Sequence, residues 1–322
     1  MEHSQEQVID YGDGIHAIDT GLLRHHFDAS YLIVENGRAA FVDTGTALAV
    51  PRLLEALESR GLSVKAVDWV ILTHVHLDHA GGAGALMQHL PNAQLVVHPR
   101  GARHMIDPTA LTAGATAVYG EAAMRETYGE LVPVPADRVI EAPDGHVVEL
   151  AGRRIVCLDT PGHARHHNCM FDARSRAVFA GDTFGISYRE TDCADGAFVI
   201  PTTSPVQFDP DALKASIARL VGLSAEAVYL THFGRVDCVE ARSRELMEQI
   251  DEMVKLAHDS HGQPDRHAWL VERLGALYAI RAARRHCPLP AATVIELLSL
   301  DIELNAQGLE VWLDRQHGAR ER

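Results

Sequence analysis

The chain has 322 residues, 47% of them hydrophobic, enough to bury the core of one large domain or of one domain with an appendage. Acidic side chains outnumber basic ones 44 to 29, and the formal charge of −15 repels phosphate backbones and anionic membranes, so nucleic acid and membrane are not expected partners. No apolar run approaches the ~20 residues that cross a bilayer. Residues 1–7 are polar and acidic, without the basic and apolar regions of a secretory signal, and the five cysteines are scattered with no CxxC pair. Both features suit a reducing cytoplasm, where Cys157 reads as a small core residue and Cys193 as an inert loop thiol.

Residues 15–18, 29–35 and 38–43 read as early strands of a first sheet, the last two joined by a tight hairpin at Asn36-Gly37. Residues 51–60 read as a helix, with Pro51 in its first turn and Gly61 just past its end. Val70-Ile71-Leu72 is then a buried strand. It runs directly into Thr73-His74-Val75-His76-Leu77-Asp78-His79, and Gly81-Gly82 open a helical stretch over 83–90. Three imidazoles and one carboxylate within six residues are a donor set for zinc, iron or manganese. In extended backbone His74 and His76 point the same way and can clasp one cation. Asp78 continues that face and His79 turns to the other side, where a second cation can sit. The loop leaving the C-terminal end of a strand is where open α/β sheets bind ligands.

Residues 94–98 form another strand, followed by a long irregular stretch over 99–135 with short helices at 110–118 and 121–128. A segment of that length reads as a wall or lid over the metals. His98 and His104 at its start read as structural or pocket residues rather than ligands. Residues 139–150 resemble a hairpin turning at Asp144-Gly145. Three later strands, 155–158, 177–180 and 227–230, each deliver a ligand-type residue at the C-terminal end: His163, Asp182 and His232. Taken singly these are a turn histidine, a turn-forming aspartate and a core histidine. Four such strand ends in one chain are harder to explain in that way. Residues 184–208 leave the sheet beside Asp182 and are expected to line a pocket. There the Tyr188 hydroxyl is a candidate donor to a developing oxyanion, with simple packing as the alternative. Asp209-Pro210-Asp211 cap a helix running to Leu220. From about residue 241 the pattern is helical throughout, over 245–257, 266–283, 291–298 and 305–315.

The series His74-x-His76-x-Asp78-His79, His163, Asp182, His232 resembles the metallo-β-lactamase superfamily over roughly residues 15–240, and Phe41-Val42-Asp43-Thr44-Gly45 fits the same pattern. The resemblance implies a four-layer αββα sandwich over residues 1–240 with a two-metal site at one edge, followed by a C-terminal helical extension over 241–322, as in the glyoxalase II-like branch. Carried over residue by residue, His74, His76 and His163 would hold one metal. Asp78, His79 and His232 would hold the other, with Asp182 bridging. Asp43 would fix a histidine tautomer. In the thioesterase-like members the stretch after the metal histidine ends in Gly-His. Here His166 stands in place of that glycine and is expected at the surface, whereas His167 matches.

The implied activity is hydrolysis of an ester-like bond in a small molecule (a thioester, lactone or other carboxylic ester) by a metal-bridged hydroxide. Asp78 would orient that hydroxide and take its proton. Two divalent cations are implied, zinc first, with iron or manganese accepted by the same donors. The alternatives are an iron-dependent oxygenase of the persulfide dioxygenase kind and a phosphodiesterase, the latter disfavoured by the charge. Both internal packing and homodimerisation are open to the helical extension.

Overall fold

The computed structural model describes residues 7–203 and 206–320. Residues 1–6, on which the leader reading rests, lie outside the described residues. The chain divides into two compact units. The first comprises the chain up to Asp159 together with His166–Gly181 and Tyr229–Arg235. The second comprises Thr160–Arg165, Asp182–Val228 and Val236–Arg322.

In the first unit, seven strands stand side by side in chain order: β1 (Val8–Asp10), β2 (Ile15–Asp19), β3 (Ala29–Glu35), β4 (Arg38–Val42), β5 (Val67–Ile71), β6 (Gln94–Val97) and β7 (Val139–Glu141). β1 to β4 are antiparallel neighbours, and β4 to β7 are parallel. Asn36 and Gly37 both take positive φ, 46° and 75°, as the two-residue turn between β3 and β4 requires. Parallel neighbours need crossovers, and these contain α1 (Val50–Ser59), α2 (Leu77–Ala80), α3 (Ala83–His89), α4 (Pro99–Ile106), α5 (Thr109–Tyr119) and α6 (Glu121–Ala123). Leu53, Ala56 and Leu57 of α1 recur at helical spacing. With Leu86, Met87 and Met105 they bury against Leu32, Phe41, Val70 and Leu95 of the sheet.

The second sheet takes β8 (Val147–Leu150), β9 (Arg153–Asp159), β10 (Asn168–Asp172), β11 (Ala177–Gly181), β12 (Ala227–Leu230) and β13 (Gly234–Val236), again in sequential order. Tyr31 of β3, Phe179 of β11 and Tyr229 of β12 pack with ring centroids 5.1–5.4 Å apart, and the Tyr31 hydroxyl donates to the Leu230 carbonyl.

The hairpin expected over 139–150 does not form. β7 joins the first sheet as a parallel neighbour of β6, while β8 joins the second as an antiparallel neighbour of β9. Asp144-Gly145 is therefore a crossing between sheets. It is held by Gly145 N donating to Cys157 O at 2.9 Å and by Asp159 N donating to Asp144 Oδ1 at 3.0 Å. The hairpin lies one strand later, where Ala151 and Gly152 turn with φ of 47° and 92°. The strand β10 is not foreseen from the sequence, because its residues, NCMFD, lack alternation.

Arg153 and Asp172 form an ion pair with both side chains fully buried, Arg153 Nε donating to Asp172 Oδ1 at 3.0 Å. Burial pushes the Asp172 carboxyl up, but the hydrogen bonds from Arg153 and Ser175 outweigh it and hold it below the usual range. Asp172→Ala leaves the buried guanidinium with Glu35 Oε2 at 3.7 Å and the Asp13 carbonyl as its remaining partners and is expected to cost about 3 kcal/mol. Urea unfolding measures this, and a loss below about 1 kcal/mol would mean that water reaches Arg153 in the variant.

The second unit is helical: α7 (Pro210–Gly222), α8 (Val239–Asp259), α9 (Arg266–Arg284), α10 (Ala291–Leu297) and α11 (Ser299–Arg320). Asp209 caps α7 by accepting from Ala212 N at 3.1 Å, with Pro210 in the first turn. Asp265 caps α9 in the same way, accepting from Ala268 N at 3.0 Å. Among the described residues no helix is long and apolar enough to cross a membrane.

His267 of α9 reaches Glu310 at 2.9 Å and Glu303 at 3.1 Å, both on α11. Those hydrogen bonds, Glu310 first, hold its pKa above the ordinary value. Its contribution to stability is complete below the unfolded pKa of about 6.5 and is lost as pH rises through the higher folded value. His267→Gln is therefore expected to lower Tm at about pH 6 and to leave it nearly unchanged at about pH 9. An equal shift at both values would assign the effect to packing.

Candidate metal centre

Each predicted ligand follows the C-terminal end of a strand. Beyond β5 the backbone bends at Thr73, reaches His76 in an extended conformation (φ −70°, ψ 155°) and then turns into α2. His74 and His76 consequently project together, with His74 Nε2 and His76 Nδ1 2.8 Å apart. Asp78 and His79 lie on the first turn of α2, not on a continuing extended face. The turn takes Asp78 away from the face of His74 and His76, and its carboxylate comes near His79 instead. Asp78, His79 and His232 place their donor atoms within 4.8 Å of one another. His232 Nε2 is 3.3 Å and His79 Nε2 3.8 Å from Asp78 Oδ2.

The orientation of these rings is set from behind. His79 Nδ1 donates to Asp43 Oδ2 at 2.9 Å, and His232 Nδ1 donates to Phe27 O at 2.9 Å. A proton held on Nδ1 leaves the Nε2 lone pair for a metal. Asp43 is 1% exposed and follows β4 with φ +55°, a left-handed conformation that Asp tolerates better than most residues. It accepts from Thr73 N at 2.8 Å, from Thr73 Oγ1 at 2.8 Å and from Thr231 Oγ1 at 2.9 Å. One carboxylate thus ties together the ends of β4, β5 and β12. Asp43 stands against His79 Nδ1, where the expected tautomer-fixing role would need it. Its threonine partners were missed, although both sit in the same tripeptide, Leu72-Thr73-His74 and Leu230-Thr231-His232.

In the second unit His163 Nε2 lies 3.3 Å from Asp182 Oδ2, and His163 Nδ1 donates to Thr202 O at 3.3 Å. Both side chains are buried, and the pattern is again Nδ1 on a carbonyl with Nε2 toward a carboxylate. Gly162 (φ +137°) is required before His163, since a Cβ there would stand 2.3 Å from the Leu213 backbone. Buried imidazoles with Nε2 presented beside carboxylates are the donor chemistry of a divalent cation site, so the residues fit the implied metals.

His167 is fully buried and stacks on His74 at 4.8 Å between ring centroids. It lies against Gly181, where a Cβ would be 2.6 Å from its Nε2. His166, expected at the surface, is 8% exposed instead. Its turn folds back so that Nδ1 accepts from Val75 N at 3.5 Å and the ring sits edge-on to His76. His98 caps α4 through Arg100 N at 3.0 Å, and His104 lies half-buried on the same helix. The Tyr188 hydroxyl donates to Asp301 Oδ1 of α11 at 3.1 Å, and the side chain is 1% exposed. An oxyanion role would require that bond to open. Burial pushes the Cys157 thiol up to about 12 and the Cys193 thiol to about 11, which suits the inert roles expected of both. Asp28 is not singled out by the sequence. It is fully buried, its carboxyl is raised to about 7 by that burial, and it accepts from Thr20 Oγ1 at 2.6 Å.

The family model described as the metallo-beta-lactamase superfamily matches residues 26–232. The chain belongs to the metallo-beta-lactamase superfamily. Its αββα fold class and C-terminal helical region agree with solved members of the superfamily. The archaeal ST1585 from Sulfolobus tokodaii superposes with a TM-score of 0.64 at 23% identity, covering 92% of this chain and 98% of that one. A metallo-beta-lactamase family protein from Thermus thermophilus, TTHA1429, gives 0.62 at 23% identity, covering 90% and 95%. Among curated relatives, the metallo-beta-lactamase fold-containing protein ST1585 is 31% identical over 174 residues, 53% of this chain and 62% of its own length. A hydroxyacylglutathione hydrolase from Stenotrophomonas maltophilia is 30% identical over 152 residues, 47% of this chain and 44% of its own. An atrochrysone carboxyl ACP thioesterase from Aspergillus fumigatus is 26% identical over 155 residues, 48% and 39%. The chain therefore spans less than two thirds of the length of each of these curated relatives.

Proposed function

We propose that the protein is a metal-dependent hydrolase of an ester-like bond in a small molecule, a thioester, lactone or other carboxylic ester. In this reading His74, His76 and His163 hold one divalent cation, Asp78, His79 and His232 hold a second, and Asp182 bridges them. Zinc is the first choice of metal. The observation that carries the reading is the common orientation of three buried histidines. His79, His232 and His163 each spend Nδ1 on an oxygen acceptor, and Nε2 faces a carboxylate. Membership of the superfamily, and relatives named as a thioesterase and a hydroxyacylglutathione hydrolase, support ester-like chemistry.

Bound cations of this class lower the pKa of water toward neutrality and polarise a carbonyl oxygen. The chain's own groups do the rest. Asp43 holds His79 in the ligating tautomer. Asp78 has a side chain 30% exposed, and its Oδ2 faces His79 and His232, so its second oxygen can accept the proton of an attacking water.

Elemental analysis of the purified chain, paired with a screen of thioesters, lactones and phosphodiesters, tests the proposal. Zinc at the stoichiometry of the seven-residue centre, with hydrolysis of a carboxylic or thiol ester, is expected. A single iron with oxygen consumption on persulfides would overturn it.

A further inference from the structure

We propose that the loop between β2 and β3 holds a further divalent cation on Asp19, His25 and His26, three residues outside the centre described above. In extended backbone, consecutive side chains point to opposite faces. Here Gly21, Leu23 and His26 all take left-handed φ, at 78°, 54° and 55°. The chain folds back at His26, and the rings of His25 and His26 lie with centroids 3.6 Å apart on the same side. Both imidazoles face one carboxylate. The donor atoms of Asp19, His25 and His26 all fall within 4.8 Å of one another, and His25 Nδ1 is 2.6 Å from Asp19 Oδ2.

The carboxylate is fixed before any cation arrives. Asp19 is 2% exposed, its Oδ1 accepts from Gly21 N at 2.9 Å, and its Oδ2 accepts from His26 N at 3.2 Å. His25 is part-exposed, so a cation can reach the pocket from solvent. A cation here draws on the lone pairs of His25 Nδ1 and Asp19 Oδ2, which lie 2.6 Å apart. Two imidazole nitrogens and one carboxylate oxygen select a borderline divalent ion of the zinc class. Three protein ligands leave a position for water, which makes the site exchangeable rather than a closed structural one.

The loop also adjoins a predicted ligand. The Phe27 carbonyl accepts from His232 Nδ1, and the His26 ring stacks on Phe233 at 4.4 Å. Loading the loop would therefore stiffen the segment that orients His232.

Zinc is the probe. The full chain is dialysed to equilibrium against buffered free zinc, and bound metal is counted by elemental analysis in wild type, His25→Ala and Asp19→Asn. Far-ultraviolet circular dichroism checks that each remains folded. Wild type is expected to take up one equivalent more than His25→Ala at the same micromolar free zinc. The same difference should persist when both chains also carry His76→Ala, which removes a ligand of the other centre without touching the loop. That second background separates failure of this site from failure of the hydrolase reading. Equal zinc content with and without His25 in both backgrounds, and in Asp19→Asn, means that the cluster is a hydrogen-bonded loop anchor only and overturns the proposal.

Discussion

His76→Ala is expected to abolish the proposed hydrolysis and to lower the metal content of the purified chain, and Asp182→Ala is expected to do the same. His76 offers Nδ1 only 2.8 Å from His74 Nε2. At that distance one cation can draw on both lone pairs, as the proposed joint ligation requires. Alanine at position 76 removes one donor and adds no replacement. The expected fall in kcat/KM is about a thousandfold or more, the scale on which a single charge-stabilising group matters in a water-excluded site. Asp182 pairs with His163 at 3.3 Å in a buried setting, and its loss removes the carboxylate that His163 Nε2 faces. His104→Ala on α4 is the control and should change neither quantity. Circular dichroism separates metal loss from unfolding. Full activity with normal metal content in His76→Ala would sink the ligand assignment.

What the sequence made legible follows from how far apart the interacting residues lie. The ligand loop was readable because donors and strand are contiguous: the apolar run of β5 leads directly into His74 and His76. The strand ends before His163, Asp182 and His232 were readable for the same reason. The partners that orient the rings were not, because they are distant in sequence. Thr231 meets Asp43 across 188 residues, and His232 meets Phe27 across 205. Only the repeated Leu-Thr-His hinted at the first of these. The error over 139–150 has a related cause. Alternation of apolar side chains marks a strand but not its sheet, and two strands with a turn between them read as a hairpin whether or not they pair. His166 shows the limit of composition: a histidine in a polar turn looks exposed until the turn folds onto Val75 and His76. The left-handed φ at His26 is equally invisible, and so consecutive histidines that alternation would send to opposite faces converge on Asp19.

Asp43→Ala should damage stability and metal binding together, and Asp43→Asn should separate them. In the alanine variant the Thr73 amide loses its buried acceptor, which costs about 1–3 kcal/mol. Alanine at φ +55° adds a further cost of about 1–2 kcal/mol that Asp and Asn largely escape. The two threonine hydroxyls can rotate toward other acceptors, but His79 cannot. Without an acceptor its proton is no longer held on Nδ1, and the Nε2 lone pair is no longer guaranteed. Loss of such an orienting partner typically weakens metal affinity by about 10–100-fold. Asparagine keeps the backbone conformation and one acceptor oxygen for Thr73 N, so most of the stability should survive. Its amide nitrogen carries only donors, however, and placed against His79 Nδ1 it forces the opposite tautomer, with the proton on the ligating Nε2. The Asn variant should therefore melt near wild type when metal-free yet bind zinc about 10–100-fold more weakly. Zinc affinity unchanged in Asp43→Asn would show that the His79 ring is held by packing alone and that the carboxylate serves only to join the three strand ends.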